Sequence, residues 1–274
     1  MYNLRYHVAS LVAVFLALTV GLVLGGVVAE RGSVSGRVES LVQQLQTRFD
    51  ALAQENAGLK RSLEHERSFA QAAGAALSRD ALAGRRVVIV VNAGRADGLD
   101  AARSAVEQAG GTVGVVMLEK PLAGLDAAAP SALGTGLAGG KPAIEAAARA
   151  VAAELATSGP RPVLDSLVSA GAVSLRGVAA PVDGCVVMAL AGDEPDAFGI
   201  ALGAALSSAG IPCVGVESSA RDTGVAAAAA AEGYSAVDHV EYPAGSFSLV
   251  WCLSGRAEGW FGLKKGAKAA FPEP

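Results

Sequence analysis

The feature that most constrains this chain is an uncharged stretch of 22 residues, Val8 to Ala29, reading VASLVAVFLALTVGLVLGGVVA. As a helix it reaches roughly 33 Å, enough for a hydrocarbon core of about 30 Å. Lipid offers no partner to a free backbone N–H or C=O, so a spanning segment of this kind must be helical. Ser10 and Thr19 can satisfy their hydroxyls on helix carbonyls one turn back. Two other readings compete. A cleaved signal has a shorter apolar run and a small-x-small cut site, whereas Val27-Val28-Ala29 starts with the wrong residue. A buried helix of a soluble domain is a poor match to so long an uncharged run. The expectation is a single-pass membrane anchor at 8–29 behind a short cytoplasmic flank, 1–7. Arg5 precedes the span and Glu30, Arg31 and Arg37 follow it, so the Lys/Arg count does not set the orientation. The short leading flank before a long domain argues for an extracytoplasmic bulk.

Behind the anchor, residues 30–83 read as a stalk. ERGSVSG, 30–36, is a junction, and a polar helical pattern runs from Arg37 to about Ala83. In heptad register, position d takes Val38, Leu45, Leu52 and Leu59, and position a takes Val42, Phe49, Asn56 and Leu63. Asn56 is the one polar residue among these core positions. A lone Asn at a sets register in two-stranded coils, because facing amides bond only when aligned. Glu55 at g stands five residues before Lys60 at e, the spacing of an interchain ion pair in a parallel dimer. The seam weakens at Glu66 and turns alanine-rich. The pattern predicts a parallel homodimer through the coiled coil, against the alternative of an amphipathic helix lying on its own domain.

Residues 84–274, about 190 in all, are enough for one domain with a core. Strand is expected at Arg86–Asn92 and Thr112–Leu118, with a helix at Leu99–Gln108 between them: a βαβ unit. PLAGLDAAAP and SALGTGLAGG read as loop. Helices follow at Pro142–Thr157 and Val163–Ala170. The βαβ pattern returns with strand Cys185–Leu190, helix Asp196–Ser208 and strand Ile211–Glu217. An alanine-rich helix, a segment Tyr234–Val240 and a last strand, Phe247–Leu253, complete it. Alternation of this kind predicts an α/β fold, a three-layer Rossmann-like domain with a mostly parallel sheet.

Chemical motifs are sparse. The net charge of −4 leaves no footprint for nucleic acid. Lys264, Lys265 and Lys268 read as a solvated tail. NAGRADG after the first strand has Gly94 and Gly98 but not the glycine spacing of a dinucleotide loop. Glu119 and Glu217 end strands and are expected to face solvent. There is no nucleophile elbow, and Asp238-His239 reads as part of a turn. Hence no catalytic residue and no cofactor-binding residue is assigned, and the chain is read as not an enzyme. The three cysteines, Cys185, Cys213 and Cys252, form no CxxC and lie in apolar runs, as core cysteines do. As soft-metal ligands the candidates are Cys185, Cys213 and Met188. Cys185 and Met188, three apart in a strand, face opposite sides, whereas parallel strands can bring Cys185 beside Cys213.

LRYHVASLVAVFLALTVGLVLG, the coiled-coil run with DALAGRRVVIV, SAVDHVEYPAGSFSLVWCLSG and the final GWFGLKKGAKAAFP together resemble the actinobacterial MctB copper-transporter family, which includes SteB-type envelope proteins. The resemblance is densest at residues 4–25, 80–92 and 235–272. It implies copper transport or homeostasis, with copper as the one candidate cofactor. SteB-type relatives imply instead a membrane-anchored scaffold that controls cell separation and peptidoglycan hydrolysis through an envelope protein partner. The chain lacks Met-rich or His-rich tracts, and its single span carries no charge or thiol to conduct an ion.

Overall fold

Two compact units make up the chain, Met1–Glu66 and Arg67–Pro274. The structure is a computed structural model. It describes residues 4–94, 97–120, 122–134 and 136–273, with backbone alone at 4–5 and 28–37. The side chains of Arg5, Glu30, Arg31 and Arg37, and residues Arg95 and Ala96 of the NAGRADG loop, lie outside the described residues.

Helix α1 spans Leu4–Ser78 without interruption. The expected break at 30–36 is therefore corrected. Glycine costs a helix only about 1 kcal/mol and serine less, and no proline is present to stop it. The stop falls earlier than Ala83, where turns begin and Asp80 takes φ 58°. Tyr6–Val27 is the segment long and apolar enough to cross a membrane. Within it Thr19 Oγ1 donates to Phe15 O at 2.6 Å, and Ser10 Oγ donates to His7 O at 3.1 Å.

The second unit is built on a seven-stranded sheet. Its elements are β1 (Arg86–Asn92), α2 (Leu99–Gln108), β2 (Thr112–Leu118), α3 (Ala123–Leu133), α4 (Lys141–Ala156), α5 (Pro162–Ser169) and β3 (Val173–Arg176). There follow β4 (Gly184–Val187), a small hairpin of β5 (Leu190–Ala191) and β6 (Glu194–Pro195), α6 (Ala197–Ser208), β7 (Cys213–Val216), α7 (Val225–Ala231), β8 (Ser235–Val237), α8 (Pro243–Ser254) and β9 (Trp260–Phe261). The order across the main sheet is β3-β2-β1-β4-β7-β8-β9. Every pairing in it is parallel except β2 with β3.

Three expectations fail here, wholly or in part. Residues 123–133, read as loop, form α3 even with Pro130 inside, because Leu125 and Ala129 bury fully beneath it. Residues 247–253, read as strand, form α8. Pro243 starts that helix at its first turn, and Gly255 ends it in the left-handed conformation at φ 77°. The strand expected at 185–190 also stops at Val187.

Side chains alternate between two apolar clusters on opposite faces of the sheet. Val88, Val90, Cys185, Val187 and Cys213 join α3 to α7 on one face. Val87, Ile89, Val186, Val214 and Val216 join α2 and α8 on the other. The unit β1–α2–β2 steps toward β3 with α2 on one face. β4–α6–β7 and β7–α7–β8 step the opposite way with their helices on the opposite face, so all three share one hand, the right hand such crossovers adopt. β8–α8–β9 steps the same way as the latter two but carries α8 on the face of α2. That crossover is left-handed.

Candidate functional site

In open sheets of this kind ligands bind beyond the strand C-termini, where the chain reverses direction across the sheet. Here that point lies between β1 and β4. Asp97, Met188, Glu217, Ser218, Arg221 and Thr223 are among the residues lining a crevice of about 30 Å³. That is room for about one water molecule. Arg221 Nε meets Asp97 Oδ2 at 3.4 Å across it.

The chain's own groups fill this edge. Asp196, fully buried, caps α6 by accepting from Phe198 N at 2.9 Å and Gly199 N at 3.1 Å. Burial pushes its carboxyl above the usual range, against those two bonds. Glu217, expected to face solvent, is only 3% exposed. It accepts from Ala226 N at 2.8 Å at the start of α7 and pairs with the Lys264 ammonium. Lys264 is therefore no part of a solvated tail, while Lys265 and Lys268 are exposed. A carboxylate already sits on each of these two helix N-termini, the positions where an anionic ligand would bind. Glu119 is exposed at the end of β2, as expected.

Asp238 organises the adjoining segment. It is 1% exposed and accepts from Trp260 Nε1 at 2.8 Å, Leu263 N at 2.8 Å and Lys264 N at 3.2 Å. A Cβ at Gly262 would collide with that carboxylate, so the sequence W-F-G-L-K has the only side-chain size that closes the loop. His239 is also 1% exposed, with Nδ1 3.6 Å from Asp238 Oδ1. Burial lowers its pKa, and the nearby Asp238 and Glu241 charges only partly offset this. Burial works against ionisation of Glu241 too, but hydrogen bonds from Ser218 and from Ser219 N at 3.1 Å outweigh it and hold the carboxyl below its usual range. Residue reasoning missed Asp238, Glu217 and Lys264. Asp238 and Lys264 lie in the stretch 235–272 where the resemblance is densest, which marked it without assigning its contacts; Glu217 lies outside it.

The sulfur candidates divide. Cys185 and Cys213 are register partners on β4 and β7, and Cys185 is completely buried. A hydrogen bond with Cys213, reinforced by burial, pushes the Cys185 thiol well up. Burial pushes Cys252 up to about 12. Such thiols stay protonated at neutral pH and are poor nucleophiles. Met188 lies in the opposite cluster and is not brought to them. A cavity of about 520 Å³ is lined by Cys213, Tyr234, Cys252 and Trp260 among others. Among the described residues no group of three His, Cys, Asp or Glu side chains is placed to hold a metal ion. Leu45, Leu52, Leu59 and Leu63 of the heptad seam are 52–69% exposed in the single chain, and Asn56 is exposed as well.

The family described as "Copper transport outer membrane protein, MctB" matches residues 1–272. Proteins named Copper transporter MctB from Mycobacterium tuberculosis and Mycobacterium bovis are 37% identical over 115 residues. That stretch is 41% of this chain and 36% of theirs, so the alignment spans about a third of the relatives' length. No solved structure matches the chain. With the match running over residues 1–272, the chain belongs to the MctB family.

Proposed function

We propose that this protein is a membrane-anchored envelope protein serving copper transport or copper homeostasis, without catalysing a reaction itself. The observation that carries the reading is family membership over residues 1–272, with relatives named as copper transporters. One apolar span, Tyr6–Val27, supports the anchor. In this reading the bulk of the chain lies outside the cytoplasm. A single helix without charge or thiol cannot enclose an ion path, so transport calls for a second copy or a partner. The crevice at the reversal point is closed by ion pairs, and buried thiols held protonated are unsuited to nucleophilic work, which supports a non-catalytic role. The α/β unit reads as a three-layer Rossmann-like domain whose crevice at the reversal point is only about 30 Å³.

A second reading, a dimeric scaffold acting on peptidoglycan hydrolysis through a partner, is favoured by the exposed heptad seam of α1. A deletion strain scored for both copper sensitivity and chaining of cells separates the two. Copper sensitivity restored to normal by the full chain supports the first. Chaining with normal copper tolerance overturns it in favour of the second. Cu(I) titration of the full-length protein in detergent then tells a direct role from an indirect one.

A further inference from the structure

We propose that, in a parallel pair of chains, Phe69 of one copy packs against the flank of α1 at Gly74 of the second copy, beside that copy's α8. The pair then touches beyond the leucine seam. This rests on the coiled-coil reading of α1 given above.

The heptad register carries on past Leu63 with Glu66 and Ala73 at d and Ala70 and Leu77 at a. In the same register Phe69 is at g, while Arg67 and Gly74 are at e and Gln71 and Ser78 at b. The chain's own domain takes one flank only. Arg67 stacks its guanidinium over the Tyr242 ring at 5.7 Å, and Ser78 is 7% exposed. A Cβ at Gly74 would stand 3.7 Å from Pro243 O and 3.8 Å from Phe247 Cβ. These are e and b positions. The a and g positions stay open: Phe69 is 73% exposed and Leu77 51%. The domain therefore leaves the seam side of the helix free for a second copy.

In a parallel pair each g residue meets the e residue five places on in the other helix. The g-to-e pairs are Leu41 with Gln46, Arg48 with Ala53, Glu55 with Lys60, Ser62 with Arg67, and Phe69 with Gly74. The bulkiest g side chain thus meets the e residue that has none. Nothing inside the single chain demands glycine at 74, because a Cβ there would make ordinary van der Waals contacts. A mid-helix glycine is still less favourable than alanine. The half-buried flank at Gly74 is bordered by α8, where Phe247 is 8% exposed and its ring lies 4.6 Å from that of Trp251, so the ring of Phe69 would meet the edge of this packed pair. Ala70 and Ala73 narrow the seam and let the flanks meet. Glu66 interrupts the apolar seam immediately before, so an apolar contact at 69 supplies what the core lacks there.

The test is disulfide trapping of the full-length protein in detergent, read as covalent dimer on a denaturing gel. Asn56→Cys places facing thiols at an a position and reports the coil. The double variant Phe69→Cys/Gly74→Cys reports the proposed contact, and Gly74→Cys has space for its Cβ. The native cysteines are buried, so wild type is the blank. The expected result is dimer from Asn56→Cys, dimer from the double variant, and at least tenfold less from Phe69→Cys alone. Trapping at 56 without trapping in the double variant overturns the contact and leaves the coil standing. Absence of trapping at 56 removes both. As a check without engineered thiols, Phe69→Glu weakens dimerisation about tenfold by sedimentation, and Phe69→Leu leaves it within about twofold; equal behaviour of the two overturns the proposal.

Discussion

Asp238 shows how one buried charge organises a surface segment. Three donors converge on its carboxylate, which is shut off from solvent at 1% exposure. Removing an acceptor from buried donors costs about 1–3 kcal/mol for each one left unpaired. Asp238→Ala is therefore expected to lower unfolding stability by about 3–5 kcal/mol in urea titration. Trp260→Phe, which deletes one donor and leaves the carboxylate two others, should cost about 1 kcal/mol. His239 beside it gives a pH signature. Its folded pKa lies below the ordinary 6.5, so the unfolded chain binds the extra proton first. Its contribution is fully present above 6.5 and is lost as pH falls through the folded value. Asp196 has a raised carboxyl pKa and acts with the opposite sign, losing stability as pH rises from 3.8 toward its folded value. Comparing wild type with His239→Gln isolates the first effect. Between pH 7 and 5 the wild type should lose stability more steeply than the variant, and parallel profiles would refute the assignment.

At the scale of elements, legibility followed the sharpness of the punctuation. β1, α2 and β2 were recovered with their observed ends, because Gly98 and Gly110-Gly111 bracket a helix between two β-branched runs. The helix expected at Asp196–Ser208 matches α6, with Asp196 as its N-cap. α8 was read as a strand because FSLVWCL is apolar on all sides, which erases the periods that tell helix from strand. α3 was hidden by low complexity and by Pro130, which local rules treat as a breaker. Burial in tertiary packing decided both. An alanine scan of α8 makes that burial measurable. Leu249, Val250 and Leu253 are all within 1% of full burial, a spacing of one, three and four. Leu249→Ala and Leu253→Ala should each cost about 2–5 kcal/mol and Val250→Ala somewhat less.

For the molecule as a whole, the sheet explains why the candidate site was hardest to foresee. Strand identity and parallel pairing follow from local pattern, but the reversal between β1 and β4, the position of α8 and the left-handed return to β9 are long-range facts. Left-handed crossovers are rare because the strand twist works against them. This one ends in a strand of only two residues, and what secures it is the set of contacts from the tail: Asp238 with Trp260, Leu263 and Lys264, and Glu217 with Lys264. Removing residues 259–274 tests that argument. The lost strand pairing is small, yet the deletion leaves two carboxylates buried in the fold without their partners. Breaking a buried pair from one side costs about 3–5 kcal/mol. The full-length chain without its tail should lose at least about 4 kcal/mol in urea unfolding and become sensitive to limited proteolysis within α8. Adding Asp238→Asn and Glu217→Gln to the truncated chain should recover part of the loss by removing the stranded charges. A truncation that costs about 1 kcal/mol or less would mean that packing of α8 against α2 holds the left-handed turn by itself.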